Sequence, residues 1–172
     1  MSDPAPLILT LAMDAASAAV FDGLRQRHFP PARNLIPAHL TLFHHLPGRE
    51  IDAVTADLDV LCAAQAPFGL TVTGLRSLGR GVAYTLESAT LAALRRELAA
   101  RWAGWLTPQD RQKHQPHVTV QNKVDPKDAQ VLLRDLQAGF APFQITGEGL
   151  DLWHYCGGPW QPAGRFRFGQ GI

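Results

Sequence analysis

The chain is poor in cysteine, with only Cys62 and Cys156 among 172 residues and no Cys-x-x-Cys pair. That argues against a disulfide framework or a cysteine-built zinc module. Both residues read as free thiols with packing roles in a reducing cytoplasm. Charge of one sign is also lacking. A net charge of +1 gives no bulk attraction to nucleic acid, so long duplex DNA is not an expected partner, whereas a nucleotide could still bind a local basic cleft. Long hydrophobic runs are missing too. The opening MSDPAPLILTLAMDAAS has no basic start, and its apolar run breaks at Asp14. We therefore expect no signal peptide, no membrane span and a cytoplasmic location. No low-complexity stretch or linker divides the chain. With 46% hydrophobic and 18% charged residues, it reads as one globular domain over residues 1–172, expected to be a monomer.

The periodicities predict a mixed chain. Strands are expected at 7–11, 40–46, 68–75, 82–86, 118–124, 143–155 and 165–168. Helices are expected at 15–28, 51–64, 91–105 and 126–139, with a polar loop at 106–116. The second half roughly repeats the first. This implies an α+β fold of two similar lobes related by a pseudo-twofold axis, with two antiparallel sheets facing a central cleft and helices outside.

One short repeat supports that reading. Residues 39–42 are His-Leu-Thr-Leu and residues 117–120 are His-Val-Thr-Val, each close behind a proline. With seven histidines and ten threonines, chance gives about 0.4 His-x-Thr triplets, and one per half in matching strand context is rarer still. On a strand, residues i and i+2 share a face. His39 and Thr41 therefore project together, with Phe43 and His45 beyond them and His44 on the core side. His117, Thr119, Gln121 and Lys123 likewise share a face. Facing lobes would bring two imidazoles and two hydroxyls into one cleft. That set suits a phosphodiester: one imidazole takes a proton, the other gives one, and the hydroxyls donate to non-bridging oxygens. A metal site drawing on His39, His44, His45 and His117 is the weaker reading, because no carboxylate or cysteine lies near either motif in sequence.

Further candidates surround this core. Phe43, and Trp153 with Tyr155 on one strand face, could stack on a base or sugar, although such aromatics also serve as core. Arg76 and Arg80 flank a glycine turn and could reach a phosphate. Arg111, Lys113 and His114 lie in the loop leading into the second motif and could steer an anionic substrate.

The two HxTx motifs, with the PAHLTLFHHLPG, GRGVAYTLES and PHVTVQNKV blocks, resemble the 2H phosphoesterase superfamily, in its bacterial 2′-5′ RNA ligase-like branch. The resemblance implies metal-independent cleavage, or reversible ligation, of phosphodiesters at a ribose 2′ oxygen, on 2′,3′-cyclic phosphates or 2′-5′ linkages. It implies no cofactor, and a small nucleotide or RNA terminus as substrate. His39 and His117 become the acid–base pair, with Thr41 and Thr119 as phosphate ligands. The pseudo-symmetry leaves the roles open; we take His117 as base and His39 as acid. Members often carry an arginine soon after the second threonine, where this chain has Gln121, Asn122 and Lys123. A module that binds nucleotides or RNA ends without turnover is the alternative.

Overall fold

The computed structural model describes residues 2–169; Met1 and residues 170–172, part of the domain expected over 1–172, lie outside the described residues. The elements are β1 (Leu7–Met13), α1 (Ala15–His28), β2 (Leu40–Leu46), α2 (Ile51–Ala64), β3 (Phe68–Ser77), β4 (Val82–Glu87), α3 (Ala89–Arg101), the single turn α4 (Pro108–Arg111), β5 (His117–Gln121), α5 (Pro126–Ala138), β6 (Phe143–His154) and β7 (Gln161–Arg167). Local chemistry sets the helix starts. Asp14 accepts from the Ser17 amide, Ser88 from Leu91, Thr107 from Asp110 and Asp125 from Lys127. Each cap satisfies an amide that the first helical turn leaves free.

The fold is α+β and antiparallel, as the sequence implies. The two expected sheets are halves of one seven-stranded sheet, ordered β2-β1-β6-β3-β4-β5 with β7 also on β6. Strand β6 makes the join. Its first residues pair with β3, from Val72 opposite Phe143 to Phe68 opposite Gly147. Its later residues pair with β1, from Met13 opposite Gly147 to Leu7 opposite His154. Strands β2 and β5, which carry the two motifs, occupy the two ends of the sheet.

The helices cross between the halves. The α1 helix, which connects β1 to β2, lies against β5 at the far end of the sheet. Its Phe21 is fully buried edge-on to Tyr84 of β4, with ring centres 5.6 Å apart. The α3 helix, which connects β4 to β5, ends over β2, where Trp102 packs edge-on to Phe43 at 5.3 Å and donates from Nε1 to Asp57 of α2 at 2.9 Å. Buried arginines fasten both crossings. Arg25 of α1 donates from Nη1 to the Thr119 carbonyl at 2.9 Å. Arg95 of α3 donates from Nε to the Leu42 carbonyl at 3.0 Å and from Nη2 to the Asp110 carbonyl at 2.7 Å. These carbonyls lie in or beside strands at the sheet ends, where the ladder offers no further partner. Each guanidinium also lies over an aromatic ring, Arg25 on Phe29 and Arg95 on Phe43, a contact that suits a delocalised cation.

Several boundaries differ from expectation. The α3 helix stops at Arg101, and the polar loop contains the turn α4. Strand β5 ends at Gln121 because Lys123 adopts a left-handed backbone, φ 66°, and Val124 bonds back to the Arg80 carbonyl. There β4 and β5 run so close that Gly81 has no room for a Cβ against the Gln121 carbonyl. Cys62 is buried, and burial raises its thiol to about 12. Cys156 is exposed, so the expected packing role fails for it: it follows β6 in the loop before β7. Among the described residues no helix is long and apolar enough to cross a membrane.

The Arg95→Met variant retains the stem but leaves two carbonyls unpaired. We predict a loss of about 3 kcal/mol in urea unfolding, with a similar loss for Arg25→Met. A change under about 0.5 kcal/mol would mean that these crossings do not hold the halves together.

Candidate active site

His39 precedes β2 and His117 opens β5. Both imidazoles are half-buried, and both are held in the same way. His39 Nδ1 lies 2.9 Å from the Pro37 carbonyl and His117 Nδ1 lies 2.8 Å from the Gln115 carbonyl. A carbonyl only accepts, so Nδ1 carries the proton in each neutral ring and Nε2 is left for proton exchange. The same two-residue step back along the chain recurs in both copies, which makes the repeat one of hydrogen bonding as well as sequence.

The surroundings disfavour the charged form of both rings in the free protein. Burial lowers His39 to about 4; the Pro37 hydrogen bond opposes this, while the charges of Arg25, His117 and His44 add to it. Burial also lowers His117, against its hydrogen bond to Gln115, with Arg76 and His44 adding to the effect.

Two cavities flank the motifs. One, of about 270 Å³, is bordered by His39, Thr10, Asp151, Trp153 and Trp160. The Trp160 ring centre lies 4.6 Å from that of His39 and 6.1 Å from that of Trp153. Trp153 is fixed by donating from Nε1 to Thr10 Oγ1 at 2.9 Å. The second, of about 330 Å³, is bordered by Thr41, His44, Arg76, Lys113 and His117. The two imidazoles thus border different cavities, and the charge of His117 reaches His39.

The remaining candidates divide. Arg76 borders the His117 cavity and donates from Nη1 to Gln115 Oε1 at 2.9 Å. Thr119 is half-buried, borders neither cavity, and gives its carbonyl to Arg25. Phe43 is no substrate contact: it is fully buried against Trp102 and Arg95. The cause is a pair of bulges. In the β1–β2 ladder Thr10 faces Thr41 but Leu9 faces Phe43, so two steps on β2 match one on β1 and Phe43 turns to the core side, and a second shift follows between Phe43 and Leu46, where Leu7 faces Leu46. His44, expected on the core side, is therefore exposed and borders the His117 cavity, whereas His45 points to a separate surface hollow beside Arg49. Gln121 is buried away from both cavities, its Oε1 without a partner. Lys123 falls beyond the end of β5 and borders neither. Tyr155 lies past β6 and is exposed, so Trp160 takes the place beside Trp153. Arg80 is exposed and donates to the Val124 carbonyl.

Sequence reasoning missed Arg25, Arg95 and Asp110. Asp110 Oδ1 accepts from the His44 amide at 2.8 Å and Oδ2 from the His45 amide at 2.9 Å, which pins the second shift. His114 donates from Nε2 to the Thr41 carbonyl at 2.8 Å, a hold on the motif strand rather than a mobile gate. Only its place in the basic loop hinted at a role. Among the described residues no three His, Cys, Asp or Glu side chains are grouped to hold a metal ion.

Comparisons with known proteins find the same fold in solved structures. The fold is similar to that of TT0787 of Thermus thermophilus at a TM-score of 0.68 and 16% identity, covering 96% of this chain and 98% of that one. It is also similar to Escherichia coli LigT complexed with NADP+, at a TM-score of 0.57 and 19% identity over 96% and 99% of the two chains. For LigT complexed with 3′-AMP the values are 0.56 and 21%, over 98% and 100%. No curated protein sequence matches the chain. The family model of the 2′-5′ RNA ligase superfamily matches residues 13–159, most of the chain and both motifs, and the chain therefore belongs to that superfamily.

Proposed function

We propose that the chain is a metal-independent phosphodiesterase that opens 2′,3′-cyclic phosphates or cleaves 2′-5′-linked ribonucleotides at nucleotide or RNA ends. The observation that carries this reading is the matched pair of imidazoles, each presenting Nε2 because a backbone carbonyl two residues earlier holds Nδ1–H. A scissile phosphate between them has a proton acceptor on one side and a donor on the other, the requirement for displacement in line. Thr41 and Thr119 donate to the non-bridging oxygens, and Arg25 and Arg76 supply positive charge nearby. Trp153 and Trp160 form a wall for the base or sugar. That LigT was crystallised with 3′-AMP, ATP and NADP+ supports a small nucleotide as ligand here.

The environment of His39 argues against the roles first taken for the pair. A ring held at about 4 by burial is neutral at working pH and suits the base. Water gives its proton to His39 Nε2 and its oxygen forms the new bond to phosphorus. The P–O bond to one ribose oxygen breaks, and His117 Nε2–H protonates that oxygen. With a ribose hydroxyl as nucleophile in place of water, the hydroxyl proton passes to His39, its oxygen bonds to the phosphorus of a cyclic phosphate end, and His117 protonates the ribose oxygen that leaves, which joins the two ends.

The His39→Ala and His117→Ala variants should each lose about 10²–10⁴-fold in kcat on a 2′,3′-cyclic nucleotide. Near-full turnover by either would remove that ring from the mechanism. Chelation with EDTA should leave activity unchanged, and loss with rescue by a divalent ion would point to a metal-dependent reaction. Binding of cyclic nucleotides without product would favour a binding module.

The pH dependence follows from the lowered rings. Catalysis needs one ring neutral and one protonated, and both free-protein values lie below the usual 6.5. The kcat/KM profile should therefore be bell-shaped, with its maximum on the acid side of 6.5, falling as pH rises because the acid loses its proton. A bound phosphate anion favours the imidazolium, so the kcat profile should lie at higher pH. A kcat/KM maximum above about 7.5 would contradict the assignment.

A further inference from the structure

The two cavities beside the motifs differ in charge. The His39 cavity has two tryptophans and both signs of charge, with Asp22, Glu148 and Asp151 against Arg165 and Arg167. The His117 cavity is bordered by Arg76, Arg95, Lys113 and two further histidines, and by one carboxylate, Asp110. That carboxylate is fully buried and already accepts from the amides of His44 and His45. It therefore offers little repulsion to an anion in the cavity.

His44 is the unexplained group there. Its Nδ1 lies 3.2 Å from Asp110 Oδ1 and its side chain remains 43% exposed. The register shifts turn it out of the core, and Asp110 fixes the backbone on both sides of it. With Nδ1 directed to the carboxylate, Nε2 is left for a ligand in the space that Thr41 and His117 share. A ring with one nitrogen turned to a carboxylate and the other open to a cavity lined by Arg76 and Lys113 is placed to meet a phosphate oxygen. Lys113, exposed on the same rim, adds a mobile charge.

We propose that the cavity beside His117 is a second anion subsite with His44 as its principal ligand, selecting substrates that carry a further phosphate group next to the scissile one. This extends the phosphodiesterase reading and rests on it for the placement of the scissile phosphate. The further phosphate could be a terminal monoester or the linkage to the next nucleotide. A tryptophan-walled half for the base and a cationic half for the second phosphate would give the substrate one orientation in a site whose two motifs are nearly equivalent.

Calorimetry tests the subsite without turnover. The probes are adenosine 3′-monophosphate, adenosine 3′,5′-bisphosphate and the adenylyl dinucleotide ending in a 3′-phosphate. At least one of the two doubly phosphorylated probes should bind about tenfold more tightly than the monophosphate, and which one does so identifies the source of the phosphate. The His44→Ala variant should bring that ratio close to one, and Lys113→Ala should reduce it. Equal affinities in the unaltered protein, or an unchanged ratio in His44→Ala, would overturn the proposal. If His44→Ala does not fold, an unchanged ratio in both His44→Gln and Lys113→Ala has the same force. A phosphate preference in a protein that turns over no cyclic phosphate would leave the subsite standing and remove the phosphodiesterase reading.

Discussion

The structure depends on two buried guanidinium groups that each reach a carbonyl in the opposite half. Arg25 leaves the β1–β2 connection to hold β5 at Thr119, and Arg95 leaves the β4–β5 connection to hold β2 at Leu42. A cation buried in protein is costly unless its donors are satisfied. Here the donors meet carbonyls that the ends of the sheet would otherwise leave unpaired, so each group answers a need of the other. The same contacts set the site. The carbonyl that Arg25 takes belongs to one motif threonine, and Arg95 binds the residue after the other. The charge of Arg25 also reaches His39 and contributes to its low value.

Much of this was legible in the sequence, and for a definite reason. Alternation and capping are local, so most strands and helices could be located from the residues within them. The His-x-Thr repeat could be read because both members of each motif lie on one strand. The reading failed where a strand ceased to be regular. The shifts on either side of Phe43 bury that ring and turn His44 outward, and no residue type in LTLFHHL announces them. The second is held by Asp110, 66 residues from His44. Lys123 likewise lost its place on the cleft face because β5 stops at Gln121, where the chain turns. The crossing of α1 and α3 was invisible because a helix pattern shows which residues are buried but not what buries them.

The paired site is symmetric in its hydrogen bonds and asymmetric in its surroundings. Both imidazoles lean on the carbonyl two residues back. Around them, one side is aromatic and of mixed charge, while the other is cationic and backed by a buried carboxylate. The repeated motif supplies two imidazoles held alike, and the divergent walls give them different surroundings. In the proposed reaction this separates the chemistry, which would rest on backbone geometry near the motifs, from recognition, which would rest on the walls.

Strand β6 has a consequence for how the molecule is assembled. It supplies the central pairing of both halves, yet it spans residues 143–154, near the end of the described chain. Until it has formed, β1 and β3 each lack a neighbour, and no strand pairing joins β1–β2 to β3–β4–β5. A chain emerging from the ribosome therefore holds two unfinished strand layers until residues 143–154 have been made. Contacts between β1 and β6, about 140 residues apart, give the fold a high contact order, the condition for slow, late and all-or-none acquisition of structure.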